Sequence, residues 1–121
     1  MARQDFINQL TNLGYKVEDL GSNKVVFNYV IPLGRLANQE IKLGFLVQDD
    51  FPANPPSGPH VAPKLLPINT QSGTHPNCGV HESNQFGPEW EYWSRPYQDW
   101  GKTDHTARTY MAFIRRLFET L

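Results

Sequence analysis

The chain has 121 residues, an apolar fraction of 39% and a formal net charge of −1. That length supports one domain, residues 1–121, around a single core, and the near-neutral charge gives no electrostatic basis for binding nucleic acid or an anionic membrane. No apolar run is long enough to span a bilayer, the opening MARQDFINQL lacks the apolar core of a signal peptide, and a lone cysteine can form no internal disulfide, so the cytoplasm is the expected compartment.

In chain order, Phe6, Ile7, Leu10 and Leu13 fall on one face of a short helix over 2–13, with Gly14 as the residue that ends it. Tyr15 and Val17 alternate with Lys16 and Glu18 in a first strand, and Gly21-Ser22-Asn23 carries turn chemistry. Val25, Phe27, Tyr29 and Ile31 alternate up to Pro32, and after a loop around Gly34 so do Ile41, Leu43, Phe45 and Val47. Links this short cannot cross over to a parallel neighbour, so the three strands form an antiparallel meander. At the far end, Ala107, Tyr110, Met111, Ile114, Leu117, Phe118 and Leu121 make one apolar stripe, predicting a helix from 106 to 121 packed across the sheet. Thr103 or Asp104 is positioned to cap it, and Arg115 and Arg116 suit its dipole.

Between these elements, residues 50–100 carry nine of the ten prolines, the cysteine, and all three tryptophans. No helical period runs through them. Proline fixes φ and aromatic rings give a loop something to bury, which predicts a rigid, packed, site-building loop rather than a linker. At its centre lies His75-Pro76-Asn77-Cys78-Gly79-Val80-His81.

Helix, three strands, a proline-rich passage, a cysteine loop and a helix, in that order, resemble the ubiquitin-conjugating enzyme family. Phe51-Pro52-Ala53-Asn54-Pro55-Pro56 is similar to the aromatic-Pro-x-x-Pro-Pro signature after the third strand of that fold, and Pro59-His60-Val61-Ala62 stands where its short fourth strand runs. Cys78 follows the double proline at close to the spacing of the family's thioester cysteine, and Trp90 and Trp93-Ser94 resemble its tryptophan loop. The resemblance therefore implies an α+β domain with an N-terminal helix, a four-stranded antiparallel meander, a long active-site loop and a C-terminal helix. His75-Pro76-Asn77 abuts Cys78, whereas the family's eukaryotic members place that triplet several residues earlier, so it reads as a coincidence of letters. That spacing, the end at Leu121, and the runs Gly79 to Ser83 and Tyr92 to Pro96 look more like the compact bacterial branch. Its members are typically encoded beside a ubiquitin-like protein, a ThiF-type adenylating enzyme and a JAB peptidase, and some of these systems act in defence against phage.

The implied activity is that of a transferase, with no cofactor: Cys78 accepts a ubiquitin-like protein as a thioester from the adenylating enzyme and passes it to an amine. Such a carrier needs an accessible thiolate and no strong water-activating base beside it. Gly79 leaves room for an incoming tail, and His81, His75 or His105 is a candidate thiolate partner. His81 is the first choice as acid or base, with His105 second; Asn84 is preferred to Asn77 as oxyanion donor, and Asp99 and Asp104 are the available carboxylates. The tryptophans are expected to wedge the loop onto the sheet, with Trp93, Pro55 and Pro56 as candidates for partner contact. Other readings stay open. Cys78 can be a small buried apolar residue in a non-catalytic docking module of the same fold. His75, Cys78 and His81, with His60 or His105, have the chemistry of a zinc site without paired Cys-x-x-Cys spacing, and a cysteine peptidase is disfavoured because its Cys and His would be too close in sequence.

Overall fold

The computed structural model describes residues 2–73 and 77–121. Helix α1 (Ala2–Asn12) buries Phe6 and Leu10 and ends as its sequence dictates. Gly14 takes φ +100°, and the backbone N–H groups of Gly14 and Tyr15 donate to the carbonyls of Thr11 and Leu10. Strands β1 (Glu18–Gly21) and β2 (Lys24–Val30) are joined through Ser22 and Asn23. Both residues have positive φ, the conformation whose twist matches a two-residue hairpin. Strands β3 (Glu40–Leu46) and β4 (His60–Ala62) continue the antiparallel order.

Two further strands lie inside the segment expected to be all loop. These are β5 (Val80–Glu82) and β6 (Glu91–Trp93), and β6 inserts between β4 and β5 to give a six-stranded sheet of order β1-β2-β3-β4-β6-β5. The expected four-stranded sheet is thus extended by a hairpin. Three-residue strands are too short to display alternation, which is why the sequence pattern does not reveal them.

Helix α2 (Ala107–Glu119) packs on one face of this sheet. Its Tyr110 ring meets Phe45 edge-on, and Phe118 lies against both Tyr29 and Trp93. From α1, Phe6 adds edge contacts to Phe45 and Phe51. Burying each of these large side chains contributes roughly 1.5–3 kcal/mol. The N-cap is Thr106, whose hydroxyl accepts from the Thr109 N–H, rather than Thr103 or Asp104. Gly34, in the loop after β2, lies against the end of α2: a Cβ there would come within 2.6 Å of the Phe118 carbonyl oxygen.

The opposite face of the sheet carries its own small cluster. Gly44, His60, Tyr92 and His81 stand opposite one another across β3, β4, β6 and β5. Phe86 lies directly on Gly44, where a Cβ would meet its ring at 2.7 Å, and packs on His60 and Trp90.

Candidate active site

Cys78 sits two residues before the start of β5, where three backbone stretches meet. Asn69 bridges to Val80, Gly79 donates its N–H to the Gln71 carbonyl, and the Gly79 carbonyl accepts from the Ser94 N–H. The thiol is half-buried and free. Its Sγ rests on Gly73, where a Cβ would stand 3.0 Å away.

A charged group that spacing does not suggest lies beside the Cys78 backbone. Arg95 Nη1 donates to the Cys78 carbonyl at 2.8 Å and to the Ser94 carbonyl at 2.9 Å. Burial pushes the Arg95 guanidinium below its ordinary pKa, and the negative charge available to Cys78 opposes that shift. Gly79 has φ +68°, and a Cβ on it would approach Arg95 Nη1 to 3.1 Å. A side chain at Gly79 would thus meet the guanidinium, so this glycine gives Arg95 its place beside the backbone. Only the β5–β6 register, which sets Val80 opposite Trp93, brings Arg95 to the cysteine.

The other sequence-nominated residues are dispersed. His81 is half-buried on the outer face with its ring 6.1 Å from Tyr92, and no hydrogen bond joins it to Cys78. Asn84 is exposed beyond the far end of β5, beside Lys64 and Pro88, with the strand's length of about 10 Å between it and Cys78. His105 stacks on Trp100 and its backbone N–H donates to the Thr103 hydroxyl, at the start of α2. Asp104 accepts from the hydroxyls of Thr109 and Thr106, and these bonds hold its carboxyl below the usual carboxylate range. It organises the helix start. Asp99 is exposed, and its carbonyl accepts from the Lys102 N–H in the short turn that follows.

Trp93 is fully buried, so it packs the interior and offers no surface to a partner. Pro56 is buried and Pro55 half-buried. The carbonyls of Pro56 and Ser57 accept from the Tyr110 hydroxyl, and that of Pro52 from the Trp100 indole. This makes the proline signature a brace against α2. His75, one ligand of the zinc alternative, lies outside the described residues, and among those described no three His, Cys, Asp or Glu side chains group as metal ligands.

Two buried polar groups lie in the same sheet, on β6 and β4. Glu91, on β6, is fully buried; its Oε1 accepts from the backbone N–H groups of Leu65 and Leu66 and from the Trp93 indole. His60 Nδ1 pairs with the Ser83 hydroxyl at 2.8 Å, and burial, aided by Lys24, pushes its pKa down to about 4. Comparison of the chain with protein-family models, curated proteins and solved structures gives no match.

Proposed function

We propose that this protein is a thioester carrier of the ubiquitin-conjugating type, with Cys78 as the nucleophile. The observation that carries the reading is a half-buried free cysteine on a pinned loop, whose backbone carbonyl holds the Arg95 guanidinium in the same neighbourhood. In the first step the Cys78 thiolate attacks the thioester carbonyl of a ubiquitin-like protein held on a ThiF-type adenylating enzyme. A new S–C bond forms, the old one breaks, and the donor sulfur leaves with the electron pair. In the second, a target amine forms the C–N bond, the Cys78 S–C bond breaks, and the amine's proton is released. No imidazole hydrogen-bonds the sulfur among the described residues, which suits a carrier whose intermediate must outlast water.

A second reading, a docking module of the same shape with Cys78 structural, is favoured by the dispersal of His81, Asn84, His105 and Asp104 away from the thiol. The discriminating experiment incubates the chain with such an adenylating enzyme, ATP and a ubiquitin-like protein encoded nearby, then runs gels with and without thiol. A thiol-sensitive adduct is expected, absent in Cys78→Ser and formed about tenfold more slowly in Arg95→Ala, equivalent to about 1.4 kcal/mol of barrier. An adduct that survives Cys78→Ser and still yields to thiol removes the nucleophile; no adduct at all leaves the docking module.

A further inference from the structure

The stretch that carries Cys78 is the middle one of three. On one side, Asn69 and Val80 exchange N–H···O bonds of 2.9 and 2.8 Å, and the Gly79 N–H donates to the Gln71 carbonyl. On the other, Val80 stands opposite Trp93, and the Ser94 N–H donates to the Gly79 carbonyl at 2.9 Å. Whatever holds these two outer stretches therefore sets the place of the thiol between them.

One carboxylate oxygen is bonded toward both. Glu91 Oε1 accepts from the Leu65 and Leu66 N–H groups at 2.8 and 2.9 Å, and from the Trp93 indole at 3.0 Å. Only Pro67 and Ile68 separate Leu66 from Asn69, and the proline fixes φ in that short span. On the other side, Trp93 itself faces Val80. Glu91 is 0% exposed, and its Oε2 is buried with no partner among the described residues. A buried charge with an unpaired oxygen costs stability that an apolar side chain of similar volume would not. What the three bonds supply instead is the placing of one segment against another.

We infer that Glu91 is a positioning residue for Cys78, locking the stretches on both sides of it so that the half-buried thiol keeps one place. Glu91 acts through those stretches rather than on the sulfur, and its role is the same whether or not Cys78 carries a thioester.

Alkylation of the folded chain by iodoacetamide, with amide hydrogen exchange measured alongside, tests this. Glu91→Gln keeps an acceptor oxygen but puts an amide N–H₂ in the place of Oε2, whereas Trp93→Phe removes the indole donor and keeps a ring in the core. Cys78 should alkylate at least about tenfold faster in Glu91→Gln, as expected when buried bonds to a charged group are weakened, and faster to a smaller extent in Trp93→Phe. Exchange should quicken selectively at Asn69, Gly79, Val80 and Ser94 while the β2–β3 ladder keeps its protection, because one region opens and not the whole fold. A carboxylate that only stabilises the domain would lower protection in both places together. Should Glu91→Gln fail to fold, Trp93→Phe alone decides. Equal quickening in the β2–β3 ladder, or alkylation at the original rate in either folded variant, would overturn the assignment.

Discussion

The two parts of the segment after β3 are held in opposite ways. Trp93, Trp100 and Glu91 are buried and tied by single polar atoms: the Trp100 indole to the Pro52 carbonyl, the Trp93 indole and two backbone N–H groups to one carboxylate oxygen. Around Cys78, by contrast, the backbone is pinned but the side chain is half-exposed and rests on a glycine. Irregular chain can thus be made rigid without periodicity, by tying its buried indoles and backbone N–H groups to a few acceptors. The rigidity ends two residues short of β5, at the thiol.

If that contrast is right, substitutions in the two parts should differ sharply. Trp93→Ala should cost about 3–5 kcal/mol, combining a large cavity with the lost indole donor to Glu91, read as a fall in urea midpoint. The next effect comes from His60. Its folded pKa of about 4 lies below the value of about 6.5 in the unfolded chain, so the unfolded state takes up the proton first. The stability it confers is therefore complete above about pH 6.5 and is lost as pH falls toward about 4, on the order of 2–3 kcal/mol in all. Urea titrations across that range should show the slope, and His60→Gln should flatten it. Smallest is Cys78→Ser, whose midpoint should shift by less than about 0.5 kcal/mol, as for a substitution outside the core. A large loss there would make the sulfur part of the brace.

The same division governs what could be read from sequence. Both helices and strands β2 and β3 are legible because Phe6 and Leu10, Val25 to Ile31, Ile41 to Val47, and Tyr110 to Phe118 repeat with the period of the element that buries them. The alternation of Tyr15 and Val17 falls just before β1, which begins at Glu18 and has no buried face. The aromatic residues of the proline-rich passage also foretell that it packs. Of the site, only Cys78 was visible. Arg95 is seventeen residues away and reaches Cys78 through a hairpin of three-residue strands, for which no local pattern exists. Glu91 reads as a surface charge until the N–H groups around it are known. Proximity along the chain suggests His81 and Asn84, and Asp104 is a carboxylate available downstream, but strand alternation and helix capping send them elsewhere.

The contact between Gly44 and Phe86 constrains how this protein can diverge. Because the aromatic ring occupies the space that any larger residue at position 44 would need, Gly44 is not free to grow while Phe86 stays in place. A lineage that acquires even alanine on that strand must shrink or relocate the side chain at 86 at the same time. Distant in the chain, the two positions are therefore linked in one direction, and a set of related sequences would show a larger residue at 44 only where 86 is smaller.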